Sequence, residues 1–182
     1  MNPLYIVLII IGILLIFVIW CISVSNKLNR TVIKIEESLS GIDIALAKRY
    51  DVLTKMIEVV KGYAKHEKET LFEVVKLREG MPLPEKVEEN SKMDNNEAKI
   101  NAIIENYPDL KASKNFMELQ KAVVDVEEHL QASRRCYNSN VSIYNQLIMS
   151  FPISVIAKKK EMTKKDFFIA KDEEKEIVEV NL

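Results

Sequence analysis

Apolar residues fill the start of the chain without a charged interruption. From Leu4 to Ile22 no side chain is charged, and the first charged residue is Lys27. The run is about 19 residues long, close to the ~20 that a helix needs to cross ~30 Å of hydrocarbon. No Lys or Arg precedes it and no small-residue cleavage site follows it, which disfavours a removable signal peptide. The pattern predicts a permanent transmembrane helix over residues 4–24, preceded by a short extracytoplasmic N-terminus at residues 1–3.

Beyond this segment, apolar residues recur at alternating steps of three and four. One row at seven-residue spacing consists of Val32, Leu39, Leu46, Leu53 and Val60. The companion row consists of Ile35, Ile42, Met56 and Tyr63, and Arg49 occupies its remaining place. Two such rows are typical of a helix that packs like a coiled coil, so a long helix is predicted over residues 27–79.

The pattern stops and then resumes further along the chain. Two prolines and a glycine mark residues 80–94 as a connection. Asp94 and Glu97 have the spacing of a capping box, which predicts a short helix over residues 95–107, before Pro108. A second long helix is predicted over residues 113–151, stopped by Pro152. One of its rows consists of Phe116, Val123, Leu130, Tyr137, Tyr144 and Phe151. The fold class is therefore all-α, with an antiparallel bundle over residues 27–157.

The distribution of charge predicts the orientation in the membrane and argues against nucleic acid as a partner. The chain has 26 basic and 27 acidic residues, so it lacks the basic balance that nucleic-acid binding requires. Lys27, Arg30 and Lys34 follow the apolar segment, and no basic residue precedes it. By the positive-inside rule, the N-terminus is expected outside a cell membrane and the bulk of the chain in the cytoplasm. The two cysteines, Cys21 and Cys136, are not expected to form a disulfide.

The charged tail, residues 158–182, begins with a basic cluster. It consists of Lys158, Lys159, Lys160, Lys164 and Lys165. If the two long helices are antiparallel, this cluster returns to the level of the bilayer, where each Lys near anionic headgroups contributes roughly 1 kcal/mol. A solvated charge run in a flexible tail is the alternative reading, and the sequence favours neither.

The sequence offers no complete catalytic or metal-binding motif. The His66 segment, "HEKET", lacks the second histidine of a zinc-protease helix, and neither His66 nor His129 has the preceding Glu of a di-iron bundle. Cys136 lies beside Arg134 and Arg135, which can lower a thiol pKa, but no partner base can be assigned. We therefore expect no enzymatic activity, no metal and no cofactor.

A repeated Tyr-Asn pair, Tyr137-Asn138 and Tyr144-Asn145, is the most distinctive polar feature of the final helix. Buried amides and tyrosine hydroxyls need partners and so can fix the register of packed helices. Arg49, in the heptad row of the first long helix, also needs polar partners if it is buried. Asp43 and Asp51 are possible counter-ions. The sequence predicts a buried polar register layer formed by Arg49, Asp51, Tyr137, Asn138, Tyr144 and Asn145.

Three segments resemble signatures of the LemA family. They are residues 38–67, with "GIDIALAKRYDVL"; residues 105–120, with "ENYPDLKASKNF"; and the final helix, with the paired Tyr-Asn and terminal Phe-Pro. The tail, with its aromatic pair and acidic run, is also similar. Two positions depart from the family pattern: Thr54 stands where proline is common, and lysines replace a glycine-containing stretch after "FPISVIA".

The resemblance implies a bacterial-type, single-pass membrane protein with a short external N-terminus and a soluble helical bundle. It supplies no activity, because the family as a whole lacks a clear molecular function. Our leading hypothesis is a membrane-anchored scaffold or adaptor that binds protein partners near the cytoplasmic face. A homo-oligomeric, membrane-organising coiled coil is the alternative, and an enzyme or binding module that uses the Tyr-Asn face is the third.

Overall fold

The computed structural model describes residues 3–63 and 81–169, and the regular elements in that part of the chain are all helices. They are α1 (Pro3–Tyr63), α2 (Leu83–Ile104), α3 (Pro108–Lys111), α4 (Lys114–Met149) and α5 (Ile153–Lys159). The all-α fold class predicted from the sequence is confirmed.

Helix α1 joins the apolar N-terminal segment to the heptad region without a break. No proline interrupts it after Pro3, and at the departure from the family pattern the Thr54 hydroxyl donates a hydrogen bond of 2.8 Å to the Tyr50 carbonyl within the helix. The predicted elements 4–24 and 27–79 therefore belong to one helix as far as Tyr63. The predicted portion over residues 64–79 lies outside the described residues.

Helix α2 begins where the sequence predicts a connection. The interpretation of residues 80–94 as a connection, and of a helix starting only at 95, is wrong. Proline is well tolerated in the first helical turn, and Pro84 lies there, while the Pro82 carbonyl accepts the hydrogen bond of the Lys86 N–H at 3.1 Å. The helical period was hidden because four of the residues that α2 buries are polar: Lys86, Glu89, Asn90 and Asn96.

The chain divides into two compact units, where the sequence predicts one bundle domain, and α1 and α4 each contribute to both. In the first unit, whose described residues are 3–38 and 136–167, the two helices are antiparallel. The Asn140 amide donates to the Lys34 carbonyl at 3.1 Å and to the Ser38 hydroxyl at 3.2 Å. The core of this unit contains Val24, Leu28 and Ile35 of α1, Tyr137, Val141, Tyr144 and Ile148 of α4, and Ala157 of α5.

The second unit, whose described residues are 39–63, 81–135, 168 and 169, has the larger core. It joins α1, α2, α3 and α4 around Val52, Leu53, Met56, Ile57, Val60, Met93, Ile100, Ile104, Leu110, Phe116, Val123 and Val126. Within it, α1 and α4 are again antiparallel, since Gly41 lies beside Ser133 and Arg49 beside Glu127. Burial of this apolar surface is the main favourable term for folding of the unit.

The heptad rows predict most of the buried positions but are wrong at four residues. Phe116, Val123, Leu130, Tyr137 and Tyr144 are buried, whereas Phe151, the expected sixth member, is exposed because α4 ends at Met149. Tyr63 is also exposed. Along α1, Thr31 and Ser38 are buried, whereas the neighbouring Val32 and Leu39 are only half-buried. Burial of the two hydroxyls is tolerated because each one donates a hydrogen bond to a main-chain carbonyl of the preceding turn.

We expect Phe116→Ala to lower the free energy of unfolding by about 3–5 kcal/mol, because it empties a fully buried site in the core of the second unit. Met117→Ala is the matched control: it removes an exposed neighbour and should cost less than about 1 kcal/mol. Urea unfolding of the detergent-solubilised chain, followed by circular dichroism, measures both. Equal losses for the two variants would contradict the assignment of the core.

Candidate functional site

Arg49 is the centre of a buried polar cluster in the second unit. Arg49 is only 3% exposed. Its guanidinium forms hydrogen bonds or ion pairs with three side chains of α2. Nη1 donates to Asn90 Oδ1 at 2.8 Å, and Nη2 lies 2.6 Å from Asp94 Oδ1 and 3.0 Å from Glu97 Oε2. Glu127 of α4 completes the cluster, with Oε2 at 3.5 Å from Nη2. One side chain from α1 therefore connects α1, α2 and α4.

The Arg49 cluster, defined by Arg49, Asn90, Asp94, Glu97 and Glu127, keeps the guanidinium charged. Desolvation by burial lowers the pKa of Arg49, but attraction to Asp94 and Glu127 and hydrogen bonds with Glu97 and Asp94 outweigh it, so the pKa is raised. A planar fork of donors suits several carboxylates at once, which a lysine at this place could not reproduce. The arrangement stabilises a fixed helix register rather than a reactive group.

Arg49 lies in the interior, as its heptad position predicts, but its partners are not the predicted ones. The expected layer with Tyr137 and Asn138 is not what the structure shows: those residues belong to the first unit, and the guanidinium binds α2 and α4. Of the two suggested counter-ions, Asp43 pairs instead with Lys86 at 2.5 Å, and Asp51 is exposed.

The spacing of Asp94 and Glu97 predicts a helix cap, and this conceals their role as partners of Arg49 on α2. In the structure they lie inside α2, and with Asn90 they have the spacing of one helix face. Asn90 also orients Asp94 by donating from Nδ2 to Oδ2 at 3.0 Å. The available signal was therefore the spacing of four and three between polar residues.

The Tyr-Asn repeat binds a different part of the chain. In the first unit, the Tyr144 hydroxyl donates to the Thr163 carbonyl at 3.0 Å, and the Tyr137 hydroxyl donates to the Asp166 carbonyl at 3.1 Å. Burial raises the pKa of both phenols, and the nearby charge of Asp166 raises that of Tyr137 further. The hydroxyls thus remain donors and are engaged with main-chain acceptors.

Asn145 makes the most specific contact of this group. Its Nδ2 donates to the Lys165 carbonyl at 2.9 Å, and the Lys165 N–H donates to Asn145 Oδ1 at 3.0 Å. A single amide side chain therefore satisfies both main-chain groups of one extended residue, as a neighbouring β-strand would. We call Tyr137, Tyr144 and Asn145 the tail clamp, because together they hold residues 163–166 against α4.

A turn after α5 directs the chain into the tail clamp. The Met162 N–H bonds the Ala157 carbonyl and the Glu161 N–H bonds the Lys158 carbonyl, each at 3.0 Å, with Glu161 at φ 55. This is a Schellman arrangement, in which glycine usually occupies the left-handed position. The sequence has Glu there, so it carried no signal for the turn.

The remaining polar positions of the final helix lie at the margin of the core. Asn138 is half-buried and participates in further polar interactions. The Asn140 side chain donates hydrogen bonds to the Lys34 carbonyl and the Ser38 hydroxyl of α1. Asn140 therefore forms the polar contact between two helices that the sequence predicts for the Tyr-Asn pairs.

The basic cluster is largely exposed. Lys158, Lys159, Lys160 and Lys164 are exposed, whereas Lys165 is half-buried and is held by its main chain in the tail clamp. Lys160 Nζ donates to Asn29 Oδ1 at 3.0 Å, so the C-terminal end of α5 lies beside α1 within the first unit.

Within the described ranges, 3–63 and 81–169, the remaining His, Cys, Asp and Glu side chains do not form a metal-binding cluster. Over these residues no group of three or more His, Cys, Asp or Glu side chains is arranged to hold a metal ion. Cys136 is exposed, and His129 borders an open groove of about 860 Å³ with Glu97 and Arg135. His66 lies outside the described residues.

Comparison with known proteins identifies the family. A model of the LemA family matches residues 38–182, which contain the Arg49 cluster, the tail clamp, the second unit and the α4–α5 part of the first unit. The chain belongs to the LemA family. A curated relative, Protein LemA of Metamycoplasma hominis, is 30% identical, and the match covers 82% of this chain and 71% of the relative. In this LemA-family chain, the apolar N-terminal part of α1 is a candidate membrane span, which is consistent with membrane association.

We expect Arg49→Met to destabilise the second unit by about 3–5 kcal/mol, because it leaves Asp94, Glu97 and Glu127 clustered without a cation. The adjacent, exposed Lys48→Met is the control and should change stability by less than about 0.5 kcal/mol. Arg49→Lys should lie between them, since it keeps the charge but loses the fork. Thermal unfolding monitored by circular dichroism separates the three, and a stable Arg49→Met protein would contradict the role of the cluster.

We also expect Asn145→Ala to release the extended segment that follows α5. Loss of two hydrogen bonds worth about 1 kcal/mol each should accelerate exchange of the Lys165 amide hydrogen by roughly 10- to 100-fold. Gln146→Ala, which removes an exposed side chain of the next residue, serves as the control. Hydrogen exchange that is unchanged in Asn145→Ala would show that the clamp does not hold the tail.

Proposed function

We propose that this LemA-family chain is a membrane-anchored helical adaptor, with its N-terminus outside and its helical units at the cytoplasmic face of a cell membrane. The supporting observation is the continuity of α1 from Pro3 to Tyr63. Its first part exposes apolar side chains, with Ile16 70% exposed, whereas from Val24 onward one face is buried by other elements. A helical segment that exposes so many apolar side chains is suited to the hydrocarbon core of a bilayer.

The charges beside the span support the proposed orientation. Lys27, Arg30 and Lys34 are exposed on α1 directly after the apolar segment, and the acidic residue nearest to it is Glu36. Basic residues close to a span are retained on the cytoplasmic side. A protease applied to intact cells should therefore leave the helical units uncut, and should cleave them once the cells are opened.

A shallow groove in the second unit is the surface that we propose for a protein partner. It lies between α1 and α4, has a volume of about 290 Å³, and is lined by Gly41, Ile44, Ala45, Lys48, Val126, His129 and Ser133. Ile44 is 68% exposed, while Gly41 and Ala45 leave room beside it. An apolar patch with a charged rim is typical of protein contact sites.

Occupation of the tyrosine hydroxyls supports a structural role over an enzymatic one. Tyr137 and Tyr144 both donate to main-chain carbonyls of residues 163–166, so the face that an enzyme would need is covered by the chain itself. A homo-oligomer is the alternative to an adaptor, and the same groove would then receive a second copy.

A photo-reactive side chain at position 44 of the full chain, activated in native membranes, tests the adaptor role. We expect crosslinked products whose added mass is that of one or a few specific membrane proteins. The same probe at exposed Lys55 on α1 is the matched control and should not give these products. A product of twice 21.0 kDa would favour the homo-oligomer instead, and identical products at both positions would contradict a specific groove.

A further inference from the structure

The turn between α4 and α5 exposes more apolar surface than its length suggests. We call residues 149–155 the α4–α5 corner. Met149 is 63% exposed, Val155 61% and Phe151 84%, so Phe151 is more exposed than any large apolar side chain of the candidate span. Three exposed apolar side chains close together in the sequence are typical of a contact surface. Transfer of each side chain from water to an apolar phase lowers the free energy.

The antiparallel register of the first unit fixes the height of this corner along α1. Asn140 contacts Lys34, and each residue toward the C-terminus of α4 is matched by one toward the N-terminus of α1. Met149 therefore lies at the level of Ser25, about 5 Å from Ile22 at 1.5 Å per residue. Burial of Val24 agrees with this register, since other elements reach that level of α1. The corner thus lies where the apolar segment of α1 ends.

Positive charge is arranged on the side of the corner that faces away from the apolar segment. Lys158 and Lys159 are exposed at the end of α5, and the hydrogen bond from Lys160 to Asn29 fixes that end at a known level. Asn29 is about 10 Å beyond Ile22 along α1, which is comparable to the ~8–10 Å Debye length at physiological ionic strength. Apolar side chains below lysines match the depth profile of an anionic bilayer, in which acyl chains lie below phosphates.

We propose that the α4–α5 corner is a second membrane contact: Met149, Phe151 and Val155 enter the interfacial layer of an anionic bilayer, and Lys158 and Lys159 bind its phosphates. The inference rests on the proposed membrane anchor and adds to it. Because the corner enters the same leaflet from which α1 emerges, the first unit is held at two points and cannot rotate freely about α1.

The test uses the full chain reconstituted into vesicles of phosphatidylcholine, with or without phosphatidylglycerol. Both native cysteines are replaced by serine, and an environment-sensitive fluorophore is attached to a cysteine introduced in place of Phe151. Ser139, exposed on α4 three turns earlier, is the control position. Ile10, within the candidate span, reports on the anchor itself. Circular dichroism verifies that each labelled chain keeps its helical content.

We expect the label at position 151 to be several-fold less accessible to an aqueous quencher than the label at 139, and to be quenched by lipids that carry a shallow quencher. K158E/K159E should reduce this protection in vesicles that contain phosphatidylglycerol. It should change little in phosphatidylcholine alone, because only anionic phosphates attract the lysines.

Other outcomes separate the two proposals. Protection at position 10 together with full aqueous access at 151 would overturn the second contact and leave the anchor standing. Aqueous access at both positions would overturn both. Protection at 151 that disappears as the protein is diluted in lipid would assign the corner to a second copy of the chain and would also overturn the proposal.

Discussion

Burial of one guanidinium imposes the arrangement of the second unit. Arg49 lies in a helix face that is otherwise apolar, and a buried charge without partners would cost several kcal/mol. Its partners come from α2 and from α4, so the three helices can pack only in the register that brings Asn90, Asp94, Glu97 and Glu127 to it. The hydrophobic core supplies most of the stabilisation, but apolar contacts alone tolerate slippage by a heptad. The cluster does not.

A different principle governs the first unit, where side chains bind main chain. The tail clamp forms hydrogen bonds with main-chain carbonyl and N–H groups of residues 163–166 rather than with their side chains. Such contacts demand an extended backbone at a fixed place and leave the sequence of the bound segment largely free. The tyrosines still fill heptad positions of α4 with their rings, so each one serves the core and the tail at once.

The anchor and the packed units share one continuous helix, and this relates the architecture to the proposed adaptor role. In α1 the exposed apolar segment gives way to a buried face at Val24, without a hinge residue between them. With the apolar segment in a bilayer, as proposed, a continuous helix of this kind would hold the first packed turns at a defined height beside it. The α4–α5 corner reaches the same height because α4 is antiparallel to α1, and its exposed Phe151 would otherwise remain in water.

The sequence by itself determined the helical class, the apolar segment, the two long helices over the residues that the structure describes, most buried heptad positions and the family, because these depend on local periodicity and on short motifs. Only the tertiary structure decided where the polar side chains find partners. Arg49 could have paired with Asp43 or Asp51 nearby, yet its carboxylates come from α2 and α4, far along the chain. The start of α2 was hidden because its buried face is polar. The tail clamp was hidden because hydrogen bonds to main chain leave no pattern in the side chains of the segment that is bound.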